Sequence, residues 1–251
     1  MTRENQIKSL IECYEKEYKE FMGIEKFPEY ELELYKEQIG KVCSYGFGTL
    51  AEAKYNPKTD KHLLRICISY EINKYVIFHE FTHILDAEMY AKKDSNKYLY
   101  VTGYTEYHAS QVELMALLGV KKVFPNEFTF SINSVIDVYP NACTIKNYLL
   151  SKHQFVVDMM SRMDYSANIE ILKPTISLLY NYFGLRSICK MYAKDYEECV
   201  DNTAIIKILS LQLFSELNIF MNGQFDEKKI ELSFVPYSNV IFSLVEKYNL
   251  S

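Results

Sequence analysis

The sequence predicts an α+β chain that is mostly helical. Three observations carry this. Apolar residues recur at three-and-four spacing over several long stretches. One short region, residues 47–69, instead alternates around a polar turn, as paired strands do. After Pro125 almost every stretch again has the helical period.

In chain order, Ile7, Leu10, Ile11, Tyr14, Tyr18 and Phe21 place an amphipathic helix over residues 4–22, and Gly23 ends it. Residues 29–42 read as a second, weaker helix through Leu32, Leu34, Tyr35, Ile39 and Val42. Gly46 and Gly48 then break the pattern. Phe47 to Tyr55 and His62 to Ser69 form a predicted β-hairpin around the turn Asn56-Pro57-Lys58-Thr59-Asp60. Residues 70–91 follow as one long helix with Ser69 as its N-cap. Residues 92–105, polar and then tyrosine-rich, read as a loop. Thr105 is the expected cap of a helix from Glu106 to Leu118, closed by Gly119.

Further helices are expected near 141–163, 166–182, 185–194, 203–221 and 238–248, punctuated by Pro140, Pro174, Gly184, Asn222-Gly223 and Pro236. Residues 224–235 are ambiguous, with a short strand as the expected reading. The expected organisation is a metal-binding core over 1–125 and a helical region over 126–251 packed on it as one unit.

Composition narrows the function classes. The net charge of −5 argues against broad nucleic-acid binding, which needs clustered Lys and Arg. The run Thr203 to Met221 is apolar but contains Lys207, Gln212 and Glu216, so it reads as a buried helix and not a membrane span. Six cysteines, Cys13, Cys43, Cys67, Cys143, Cys189 and Cys199, include no C-x-x-C pair and read as free, mostly buried thiols. With the polar start from Met1 to Ser9, this gives a cytoplasmic expectation.

The chemistry concentrates in His79-Glu80-Phe81-Thr82-His83, an H-E-x-x-H pattern. Residues four apart on a helix lie on one face, so both imidazoles can reach one ion. Two imidazoles supply half of a tetrahedral zinc shell. Glu80 points sideways from that row, where its carboxylate can take the proton of a water attacking a carbonyl. A catalytic zinc needs a third protein ligand, and Glu106, His108 and Glu113 are the candidates. Asp86, seven residues past His79, is placed to accept a hydrogen bond from a ligand imidazole. His62 and His153 have no evident partners in the sequence.

A β-hairpin, an H-E-x-x-H helix and a following helix that donates a glutamate resemble the gluzincin class of zinc metallopeptidases. The run His79 to Asp86, HEFTHILD, is similar to the active helix of lethal-factor-like catalytic domains. Tyr104-Thr105-Glu106-Tyr107-His108-Ala109-Ser110 resembles the Glu-x-x-Ala segment of the third ligand in those domains and in ImmA/IrrE-type peptidases of phages and mobile elements. The resemblance covers about residues 45–119. It implies a zincin-like core, Glu106 as third ligand of Zn²⁺, and a Tyr or His near that helix as oxyanion donor, for which Tyr104 is the choice. The sequence departs from the pattern at Ser110, where an acidic or amide residue is often found.

The expected function is therefore a zinc-dependent metallopeptidase that hydrolyses peptide bonds, with Glu80 as general base. The strand from His62 to Ser69 would offer its edge to an extended peptide or protein substrate. The competing reading is a non-catalytic helical interaction protein with a structural or vestigial metal site. Oligomeric state is not readable from the sequence.

Overall fold

The computed structural model describes residues 2–36, 50–162, 171–198, 200–221 and 223–248. It is α+β and mostly helical. The chain divides into two compact units, Met1–Leu99 with Val112–Asn126, and Tyr100–Gln111 with Glu127–Ser251. Residues 100–111, expected in the first half, count with the second unit.

In the first unit, helix α1 spans Arg3–Met22. The Thr2 side chain caps it, accepting from the Asn5 N–H at 3.4 Å. Gly23 closes it at φ 71°, a left-handed conformation that costs glycine little. Ile7, Ile11, Tyr18 and Phe21 form its buried face.

The expected helix over 29–42 is corrected. Its first part is strand β1, Tyr30–Tyr35, and residues 37–42 lie outside the described residues. The alternation Tyr30, Leu32, Leu34 explains it, because these half-buried residues are separated by exposed Glu31 and Glu33. The two glutamates pair across the sheet with Lys61 and Arg65, each at 3.0 Å.

The hairpin is present as β2, Ala51–Asn56, and β3, Lys61–Cys67. Its expected start at Phe47 lies outside the described residues. The strand order is β1-β3-β2, with β1 parallel and β2 antiparallel to β3. β3 is therefore paired on both sides and has no edge to offer. Among the described residues, β2 is an edge strand instead.

Helix α2, Lys74–Asp86, begins later than expected, with Asn73 and not Ser69 at its N-cap. The Arg3 guanidinium donates to the carbonyls of Ile68 and Tyr70, at 3.1 and 3.2 Å, and so engages acceptors that an earlier helical turn would use. α2 continues into a π-helical turn, Ala87–Ala91, and stops where Lys92 and Lys93 take φ of 45° and 68°.

The expected loop at 92–105 is also corrected, since helix α3 runs from Ser95 to Leu117. Asp94 caps it, accepting from the N–H groups of Asn96 and Lys97 at 2.8 and 3.2 Å. Thr105 is mid-helix and caps nothing. The tyrosines that looked like loop are packing residues: Tyr98 lies against Tyr55, and Tyr104 is 4 % exposed.

In the second unit, β4, Val135–Val138, and β5, Asn141–Thr144, form a hairpin where helix was expected to start. Thr144 then caps α4, Ile145–Met160, accepting from the Asn147 N–H at 3.2 Å. The two helices expected at 166–182 and 185–194 are, over the described residues, one helix, α5, Leu172–Tyr192. Gly184 is a contact and not a break. A Cβ there would sit 2.3 Å from the Tyr107 carbonyl oxygen and 2.9 Å from Ser110 Cβ.

The apolar run after Thr203 is bent by 111° between Thr203–Leu209 and Leu211–Met221. It comprises α6, Thr203–Leu209, then α7, Leu211–Glu216, then a 3-10 turn, Leu217–Met221, with Ser210 at φ 81° between the helices. Among the described residues, no single helix is long and apolar enough to cross a membrane. Helix α8, Glu227–Tyr248, takes in residues 227–235 of the ambiguous stretch and Pro236, while 224–226 precede it without regular structure.

The core of this unit is aromatic. Tyr180 meets Phe220 and Tyr237 at centroid distances of 4.7 and 5.5 Å, and Phe220 stacks on Phe225 at 5.4 Å. Cys67 and Cys189 are buried free thiols, Cys143 is half-buried and Cys13 is exposed.

Gly184→Ala is expected to lower unfolding free energy by about 2–3 kcal/mol, since the methyl meets main chain and not a mobile side-chain end. Urea denaturation checks this. His153 is buried beside the Tyr182 ring, and burial, then Arg186, lowers its pKa from 6.5. The unfolded chain therefore takes up this proton more readily, and stability is lost as pH falls below about 6.5. His153→Phe is expected to flatten that acid-side slope in urea titrations between pH 7.5 and 5.5.

Candidate metal centre

Packing fixes the orientation of α2. Tyr18 of α1 is fully buried and meets Phe78 and Phe81 at centroid distances of 5.2 and 5.4 Å. Its hydroxyl is 3.0 Å from Thr82 Oγ1, and Thr82 in turn donates to the Phe78 carbonyl at 2.8 Å. Phe27 adds a further ring against Phe81 at 4.9 Å. With Phe78, Phe81 and Thr82 committed to the core, helical spacing turns His79 and His83 the other way. Both imidazoles are half-buried, 4.9 Å apart between centroids and 74° between planes.

His79, His83 and Glu106 each offer a ligand atom, and these atoms all lie within 4.8 Å of one another. Of the three carboxylate or imidazole candidates on α3, Glu106 is the one in this group. It sits mid-helix. Ser177 donates to Glu106 Oε1 at 2.8 Å, which restrains the carboxylate. Two imidazoles and one carboxylate at this spacing could hold a metal ion.

Glu113 has a different place. His79 Nδ1 donates to its Oε2 at 2.8 Å, both groups nearly buried. The acceptor is a carboxylate, so the proton belongs on Nδ1 and the lone pair on Nε2. The sequence offered Asp86 for such a bond, and the contact on His79 belongs to Glu113. Asp86 is buried at 1 % exposure, close enough to Tyr18 to add to the upward shift that burial gives that phenol.

Glu80 points to β2. Its Oε2 accepts the Ala53 N–H at 2.7 Å, a short charge-assisted bond that aims the carboxylate. No residue pattern could reveal this contact, because any residue except proline supplies the donor. Tyr104 and His108 stack on each other at 5.4 Å, and Tyr104 also stacks on Phe225 at 5.7 Å. His62 does have a partner: its Nε2 lies 3.2 Å from Glu88 Oε2, and its ring stacks on Tyr55 at 4.6 Å.

No family model, no curated protein and no solved structure matches this chain.

The His79–Glu113 bond makes a prediction that needs no metal. Neutral His79 is expected as the Nδ1–H tautomer, and Glu113→Ala is expected to mix the two tautomers. Long-range ¹H–¹⁵N spectra of the imidazole nitrogens read this directly.

Proposed function

We propose that the chain is a zinc-dependent hydrolase acting on peptide bonds. The observation that carries the reading is the grouping of His79, His83 and Glu106 within 4.8 Å. Bonds of about 2.0–2.2 Å in a tetrahedral shell put donors roughly 3.3–3.5 Å apart, which this bound accommodates. His79, His83 and Glu106 would hold the ion, and Glu113 would keep His79 presenting Nε2. When bound, zinc polarises a carbonyl and makes a neighbouring water more acidic.

Glu80 supplies the base. Its carboxylate takes one proton as the water oxygen bonds to the carbonyl carbon, then passes that proton to the amide nitrogen as the C–N bond breaks. The Ala53 N–H holds Glu80 in a fixed direction for both transfers. β2 is the edge strand that supplies this amide, so an extended peptide laid along β2 would bring its carbonyls to the base. This replaces the β3 edge, which pairing with β1 consumes. Tyr104 is the proposed oxyanion donor, held by its stacking on His108 and Phe225.

Purified protein is expected to carry about one zinc per chain and to cleave unstructured protein substrates. Glu80→Gln is expected to keep the zinc and lose about 10²–10⁴-fold in cleavage rate. Undiminished cleavage would remove Glu80 from the mechanism, and absence of zinc affinity would remove the whole reading. Glu113→Ala is expected to weaken zinc binding by about 10–100-fold in chelator competition. Tyr104→Phe keeps the ring stack, so a rate loss near 10²-fold would assign the donor role to its hydroxyl.

A further inference from the structure

A second polar cluster lies in the other unit and plays no part in the proposed hydrolysis. Arg186 of α5 is buried, at 4 % exposure. Its guanidinium carbon stands 5.0 Å from the Phe183 centroid, 5.3 Å from Tyr182 and 5.9 Å from Phe214. These rings fix the guanidinium plane and hold it out of water. Nη2 donates to Glu198 Oε2. Among the described residues, Nε and Nη1 are buried and have no hydrogen-bond partner by geometry, and the Tyr196 phenol lies close to the guanidinium. A guanidinium keeps its charge under any ordinary condition, so this is a buried cation with two donors unmet. Native proteins rarely leave such groups unpaired.

The same side chain lines a cavity of about 730 Å³. Lys190 brings a second positive charge, while Ala193, Ile219 and Met221 bring apolar surface. Glu198, half exposed on the same wall, is its one negative charge. The walls come from α5, the segment after it and the 3-10 turn at Leu217–Met221, all of the same unit. The volume is in the range of small-molecule sites, well above what a bare ion needs.

We propose that this cavity binds a small organic anion, a carboxylate or phosphate carried on an apolar body. The anionic group meets the Arg186 guanidinium where it lines the cavity, with Lys190 beside it, and the body lies along Ala193, Ile219 and Met221. Glu198 holds the guanidinium in the empty state and competes with the ligand for it.

The test is calorimetric titration of the full chain at fixed ionic strength with inorganic phosphate, phenyl phosphate and benzoate. Phenyl phosphate or benzoate is expected to bind about tenfold more tightly than inorganic phosphate, from burial of the ring. Whichever of the two binds more tightly identifies the anionic group. Lys190→Met, at an exposed position, is expected to weaken binding about five- to tenfold, and Glu198→Gln to tighten it by a similar factor, since one removes a positive and the other a negative neighbour. Arg186→Met, which keeps an unbranched apolar stem, is expected to abolish binding; circular dichroism checks its folding, and the Lys190 and Glu198 variants carry the test if it fails to fold. No binding of any probe overturns the proposal. So does binding that is indifferent to both Lys190→Met and Glu198→Gln, which would place the probe elsewhere on the protein.

Discussion

The hydroxyl of Tyr18 against Thr82, with the rings of Phe78, Phe81 and Phe27 around it, is the contact on which the candidate centre depends. An H-E-x-x-H helix can point its histidines anywhere, because the pattern fixes their mutual spacing and not their direction. Direction comes from the opposite face. Burying residues 78, 81 and 82 against α1 costs the helix its rotational freedom, and residues 79 and 83 are then aimed by default. Replacing Tyr18 would act on His79 and His83 through a face they do not share.

Two other contacts refine that aim, and they differ in kind. Glu113 acts on the chemistry of His79, selecting which nitrogen carries the proton. Ala53 acts on the direction of Glu80 without altering its charge. Both come from within the first unit, as do the histidines themselves. Separately, Ser177 donates to Glu106 and restrains that carboxylate.

The centre was more legible in the sequence than the fold around it, for physical reasons. Two imidazoles one helical turn apart are marked by residue type and spacing together, so His79, Glu80 and His83 could be read at once. Glu106 needed a resemblance, since a lone glutamate is otherwise unremarkable. The β1 error arose because Leu32, Leu34, Tyr35 and Ile39 satisfy a loose helical template, whereas Glu31 and Glu33 are explained only by Lys61 and Arg65 on a distant strand. The α3 error had a local cue, Asp94 followed by Ser95, that the polar Lys-Lys-Asp-Ser-Asn-Lys run concealed. Gly184 misled in the opposite sense. Its small size serves a close approach to the Tyr107 carbonyl, and a non-local contact of that kind leaves no periodic trace.

The bond from the main chain of residue 53 to Glu80 has an evolutionary corollary. An orientation that relied on a side chain would be erased by many single-base changes at its codon. Here nineteen of the twenty genetically encoded amino acids carry the needed donor, and only proline lacks it. Selection can thus vary the side chain at this position freely while the Glu80 carboxylate keeps its bearing.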